Sequence, residues 1–277
     1  MAPTLHETGH IPTFVRRLEF AIRFLSDVAK LDTSFAIYRA MQESDRLQRN
    51  GCPSWLGDLA GPPHSLPFPM PHLHSFANIS PASCKALPRE LRSGCKRFLT
   101  GEIQARISLQ LLHHRLEPQE NGHARFIHLT RRHYLSRIVV PDHRLAVTQL
   151  LAGSFRFCGL HSSTTAVSLQ RQLCWRCGQE KETPTHVFLV CSDPPTVDAR
   201  HDLRSALSSR CNYWLPASLA GVPEGDRVRI LRGLIFHWDR VLPVARFIFR
   251  VAKGWKWFGA TFSNDVVESR PGMDGNE

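Results

Sequence analysis

The sequence predicts a mainly α fold, a helical module carrying a small zinc-stabilised loop-helix segment. Three observations point to it. Apolar residues recur at helical spacing over much of the chain. Cys174-Trp175-Arg176-Cys177-Gly178, His186 and Cys191 form a C-x2-C-x8-H-x4-C array of the kind that closes around one zinc ion. With 277 residues, of which 42% are hydrophobic, the chain can build one large domain or two small ones around a packed core.

Residues 14–30 place Phe14, Leu18, Ala21, Ile22, Leu25 and Val28 on one helical face. Asp32 or Thr33 then caps a second predicted helix running to about residue 49, with Phe35, Ile37, Tyr38 and Met41 as its buried side. From 51 to 88 prolines and glycines become frequent, as in Gly61-Pro62-Pro63 and Pro67-Phe68-Pro69, and the segment reads as linker. Helical pattern resumes over 88–116, breaks at 118–122, and returns at 143–151 and at 196–209. The stretch 234–258 is aromatic and amphipathic, interrupted by Asp239, Arg240, Arg246, Arg250, Lys253 and Lys256. The expected organisation is therefore an N-terminal helical segment (1–50), a Pro/Gly-rich linker (51–88), a helical domain (89–262) containing the zinc-binding segment 174–191, and a disordered tail (263–277).

The array has a specific chemical logic. Two cysteines separated by two residues reach one ion from a single tight turn, and Gly178 lets that turn adopt φ > 0. Pro184 and Thr185 precede one or two helical turns that present His186. A separation of i to i+5 leaves one α-helical face, so Cys191 is expected just past the helix end, with Asp193-Pro194-Pro195 as the stop. The competing reading is ordinary core cysteine, since this residue type is often buried; the joint spacing favours metal. Three thiolates and one imidazole complete a tetrahedron and leave no open position, which points to a structural Zn2+ and not a catalytic one.

The net charge of +11, from 35 Lys and Arg against 24 Asp and Glu, favours RNA or DNA as partner through arginine contacts to phosphate. No long basic run occurs, and a merely solvated basic surface competes with a defined groove. No secretory signal or run of about 18 apolar residues is evident, so the expected location is intracellular, nuclear or cytoplasmic, with no membrane span and with reduced cysteines.

Weaker motifs need weighing. His6-Glu7-Thr8-Gly9-His10 matches H-E-x-x-H formally, but it contains Gly9, is followed by Pro12 and has no evident third ligand. A zinc deaminase would need P-C-x-x-C, whereas Leu173 precedes Cys174. Cys84 and Cys95 with His72 and His74 have irregular spacing for a second metal site. His113, His114 and His133 read as helix-face residues. Trp238, Arg246, Arg250, Trp255, Lys256 and Trp257 could stack on single-stranded bases, against the commoner alternative of a packed helix face.

Arg144-Leu145 through Gly153, His161, Cys174-Trp175-Arg176-Cys177-Gly178, Glu182-Thr183, His186, Cys191, Arg200 and Leu203 together resemble the C-terminal, post-polymerase region of fungal non-LTR retrotransposon reverse transcriptases. Residues 14–30 and Trp55-Leu56-Gly57-Asp58-Leu59 are similar more faintly. The resemblance implies a zinc-binding region with ligands at Cys174, Cys177, His186 and Cys191, and a polymerase domain missing from this chain. Polymerase chemistry needs paired metal-holding carboxylates. The chain has no Asp-Asp dipeptide, and its acidic residues show no RNase H pattern. The expectation is a non-catalytic, zinc-containing nucleic-acid-binding module. The alternative is a degenerate structural or protein-interaction remnant without nucleic-acid binding.

Overall fold

The structure, a computed structural model, describes residues 5, 7–59, 66–68, 81–115, 117–118, 124–125, 132–155, 157 and 172–255. It is mainly helical. Extended structure among these residues is confined to the two-residue strands Glu117–Pro118 and Ala124–Arg125 and an isolated bridge between Leu173 and Lys181. The chain divides into two compact units, the first holding residues 1–117 and 124–132, the second residues 118–123 and 133–277.

In the first unit, helix α1 (Thr13–Val28) packs against α3 (Pro81–Gln104), while α2 (Ala36–Arg49) contributes Met41. The seam joins Val15, Leu18, Ile22 and Leu25 of α1 to Leu91, Cys95 and Leu99 of α3, with Leu56, Leu59 and Phe68 closing it. Each fully buried Leu or Ile contributes about 1.5–3 kcal/mol. Gly94 is required by contact: a Cβ there would meet the Phe68 ring at 2.5 Å.

This seam corrects two expectations. Residues 89–117 and 124–132 belong with the N-terminal residues and not with the zinc segment, because the apolar stripe of α3 is the surface that buries α1. The supposed linker 51–88 is partly core and partly helix, since α3 begins at Pro81 and continues through Pro88. Pro81 suits a first helical turn and Ala82, Lys85, Ala86 and Leu87 are helix formers, which outweighs the hydrogen bond lost at Pro88. Residues 60–65 and 69–80 and the expected tail 263–277 lie outside the described residues. Asp32 caps a turn and not α2: its carboxylate accepts the Ser34 N–H at 2.8 Å, which holds its pKa below the usual range. Of the face assigned to α2, only Met41 is buried; Phe35 and Ile37 are exposed.

The second unit is built around α8 (Val241–Lys253), which packs on α5 (Pro141–Leu151) and α6 (Pro194–Cys211), with α4 (His133–Arg137) and α7 (Glu224–Ile235) at its flanks. Val244, Ala245, Phe247, Ile248 and Val251 of α8, Ala146, Val147, Leu150 and Leu151 of α5, and Leu203 and Leu207 of α6 are all buried. Residues 234–255 are therefore two helices with a break at 236–240. Pro194 and Pro195 do not stop a helix; they open α6, where the missing proline N–H costs nothing. Asn212, with φ of 45°, ends it in the left-handed region that Asn tolerates.

Candidate metal centre

Residues 172–191 arrange the four ligands by two local devices. The first is a narrow hairpin. Glu182 N–H donates to the Gln172 carbonyl at 2.9 Å and Cys174 N–H to the Glu180 carbonyl at 2.8 Å, with Leu173 bridging Lys181 between them. At its tip Gly178 N–H donates to the Cys174 carbonyl at 2.7 Å, and Gly178 has φ of 66°. No atom lies within 4 Å of where its Cβ would stand, so the backbone angle, and not crowding, calls for glycine. The backbone N–H groups of Arg176 and Cys177 point at Cys174 Sγ.

The second device is the turn His186–Val190, a wide π turn closed by Cys191 N–H to the His186 carbonyl at 2.8 Å. In an α-helix, at ~100° per residue, residues five apart would point ~140° away from each other. The i to i+5 bond brings them onto one side, which corrects the expectation of ordinary helical turns and explains the x4 spacing. Thr183 Oγ1 accepts the His186 N–H at 3.1 Å and starts the turn. Val187, Phe188 and Leu189 are buried, and Phe188 meets both Phe157 and Phe247 edge to face, which fixes the turn to the helical core.

The predicted ligands therefore converge. The ligand atoms of Cys174, Cys177, His186 and Cys191 all lie within 4.8 Å of one another. Cys174 and Cys191 Sγ are 3.8 Å apart, and Cys177 Sγ is 3.2 Å from His186 Nε2. A tetrahedron with metal–sulfur bonds of about 2.3 Å has S···S edges of roughly 3.8 Å, so the first separation is that of two thiolates sharing an ion. Cys174, His186 and Cys191 are buried and Cys177 is half-buried. This Cys3His cluster could hold a metal ion.

Its charges are arranged for a cation. The hydrogen bond from Cys191 and the Arg176 and Cys177 amides hold the Cys174 thiol well below its ordinary range, against the opposing effect of burial. The same Cys174–Cys191 bond, with burial, raises Cys191, while the Asp193 amide opposes that rise. Burial works against a charged His186, but its bonds to Cys174 and Cys177 prevail and raise it to about 9. A dication bound here would take the place of these protons, held by thiolates and a neutral imidazole.

A supporting layer was not legible in the sequence. His186 Nδ1 faces Glu180 at 3.4 Å, and Glu180 is gripped by both Nη atoms of Arg227, from α7, at 2.6 and 3.4 Å. The Arg227 hydrogen bond holds the Glu180 carboxyl below the usual carboxylate range. A carboxylate on the far nitrogen fixes the ring orientation and strengthens the imidazole as a ligand. Also from α7, Glu224 accepts from Thr185 Oγ1. Arg200 donates to the Cys191 carbonyl at 2.5 Å, and Arg176, inside the knuckle, bonds Asp193 at 2.8 Å and the Gly254 carbonyl. Glu180→Gln should weaken metal affinity about 10- to 100-fold. Competition with a chromophoric chelator measures it, and an unchanged affinity would remove Glu180 from the centre.

The other motifs resolve differently. His6, His72 and His74, and the side chain of Cys84, lie outside the described residues. Glu7 is buried and paired with Arg115 at 2.6 Å, so its carboxylate is engaged in structure. Cys95 belongs to the apolar seam, where burial pushes its thiol up to about 11, an inert state. His113 Nε2 sits at the carbonyls of Ile103, 3.0 Å, and Arg106, 3.1 Å, at the end of α3.

Among the described residues, the tryptophans of the aromatic and basic cluster are packed, as the helix-face alternative expects, and do not form an open stacking platform. Trp255 is buried beside Arg176 and Trp175, and Trp238 stacks on His133 under the Arg137 guanidinium. Arg250 is paired with Asp202. Lys256 and Trp257 lie outside the described residues.

Comparison with protein-family models, curated proteins and solved structures finds no match to the chain. The functional reading therefore rests on the chemistry of the cluster, on surface charge and on the sequence resemblance.

Proposed function

We propose that this chain is a non-catalytic, zinc-containing nucleic-acid-binding module of the kind that follows the polymerase domain in fungal non-LTR retrotransposon reverse transcriptases. The observation that carries the zinc assignment is the closed set of Cys174, Cys177, His186 and Cys191, all but the half-buried Cys177 fully buried, and served by backbone N–H groups aimed at sulfur. Soft thiolates with one imidazole in a four-ligand set favour Zn2+ over oxygen-loving cations. All four positions are protein ligands, which leaves the ion a structural role. The charge of +11 supports RNA or DNA as partner.

Purified protein should carry one zinc per chain by elemental analysis. It should also bind oligonucleotide with an affinity that falls steeply and linearly on a log–log plot as salt rises. A chain that holds zinc but shows no saturable binding at any salt would be the structural remnant, and the nucleic-acid reading would be withdrawn. No helix among the described residues is long and apolar enough to cross a membrane.

A further inference from the structure

We propose that the outward face of α1, continued by Trp55, is a docking surface for single-stranded nucleic acid; the inference rests on the nucleic-acid reading above and gives it a place on the molecule. The inward side of α1 is consumed by the seam with α3. On the outward side Phe20 and Phe24 are 57% and 43% exposed, and Trp55 is 39% exposed; Phe14, expected on the buried face, is instead 51% exposed but stands apart from this row. Phe24 and Trp55 meet edge to face with centroids 5.7 Å apart, so the aromatic row passes from α1 onto the short helix 55–59. Single exposed apolar side chains are ordinary, whereas a contiguous row marks a place where something binds.

What binds is narrowed by the arginines set among the rings. The Arg16 guanidinium lies 5.9 Å from the Phe20 ring centroid. Arg17 is exposed and has no acidic partner among the described residues. At ~100° per residue, Arg17, Phe20 and Phe24 fall within ~60° of one another around the helix, and the two phenylalanines stand one turn apart, ~6 Å along the axis. Arg23 and Arg92 flank the buried Glu19, each at 2.6 Å, and Asp27 of the same face is paired with Lys30 at 2.7 Å.

Rings that offer a stacking face, with cations between them, match a strand whose bases are unpaired and whose phosphates run alongside. A duplex keeps its bases stacked on each other and has no use for the rings. An interfacial helix would present its aliphatic stripe to lipid, and here that stripe is the core.

The test uses the full, zinc-loaded chain and a labelled oligouridylate, read by anisotropy across a salt series. The Phe20→Ala, Phe24→Ala double variant should bind on the order of tenfold or more weaker, with the salt slope unchanged and helical content intact. Phe20→Trp, Phe24→Trp should restore binding. Arg17→Gln should lower the salt slope by about one.

Wild-type binding that the double alanine variant retains in full would overturn the surface while leaving the nucleic-acid reading standing. Absence of wild-type binding would overturn both. If the double variant instead loses association with anionic phosphatidylserine vesicles while keeping oligouridylate, the face is a lipid surface and the proposal fails.

Discussion

Stripping the metal is expected to unfold the second unit and leave the first one folded. Its basis is the placement of the ligands. Two come from the hairpin tip and two from the ends of the π turn, and that turn carries Phe188 into the packing against Phe157 and Phe247. Without a cation, three cysteine sulfurs and the His186 imidazole are left crowded in one small, largely buried space. Binding of structural zinc is worth about 10–16 kcal/mol in small peptides. A domain's whole stability is about 5–15 kcal/mol, so the ion can decide the folded state of this unit. The seam of α1 and α3 is apolar and draws on no residue of the cluster. Addition of a strong chelator should therefore remove part of the helical circular dichroism, and zinc should restore it. Cys174→Ser, Cys177→Ser should show the same partial loss with zinc present. Full native ellipticity and an unchanged melting profile in the metal-free chain would refute a structural role.

The second large effect belongs to the first unit. Glu7→Ala should destabilise it by about 3–5 kcal/mol, because the substitution takes the facing carboxylate from buried guanidiniums. The Glu7 and Arg115 side chains are 5% and 1% exposed and 2.6 Å apart, and Arg132 approaches the other carboxylate oxygen at 3.6 Å. The Arg132 backbone N–H also donates to the Glu7 carbonyl at 3.2 Å, so this contact ties residue 132 to the chain's start. Urea unfolding followed by circular dichroism, with zinc held in excess so that the second unit stays folded, isolates the effect. A midpoint equal to that of the unsubstituted chain would show that the pair is dispensable. The formal H-E-x-x-H match gives the opposite forecast, since a general base can be removed without loss of fold.

The sequence was informative where the determining contacts are local in the chain. Helices α1, α5 and α6 and the four metal-cluster residues follow from spacing alone, because helical periodicity and a C-x2-C turn are set within a few residues. What failed was what depends on distant partners or on a two-sided signal. The pairing of α3 with α1, which sets the unit boundary, joins segments separated by a proline-rich stretch. Proline marks the end of one element as readily as the start of the next; Pro194 and Pro195 read as a stop in the sequence, whereas they open α6. The π turn has no propensity signature, although the x4 spacing of His186 and Cys191 is its geometric trace. Arg227 reaches Glu180 from another helix, and no spacing rule foretells that. The burial of Trp255 beside Arg176 fits the packed-face alternative for its cluster, but the partner that buries it comes from residues 175–176, which no local pattern foretells.

That last contact places two tryptophans at the metal cluster. Trp175 lies within the C-x2-C turn, and its ring meets Trp255 edge to face at 5.8 Å, with the Arg176 guanidinium 4.9 and 4.7 Å from the two ring centroids. Two indoles held at a fixed angle couple their transition dipoles, and a cation beside both shifts their emission. The couplet depends on residues 174–177 keeping the shape of the hairpin tip. A metal ion bound at the cluster is therefore expected to change the near-ultraviolet circular dichroism of the native chain, without any label.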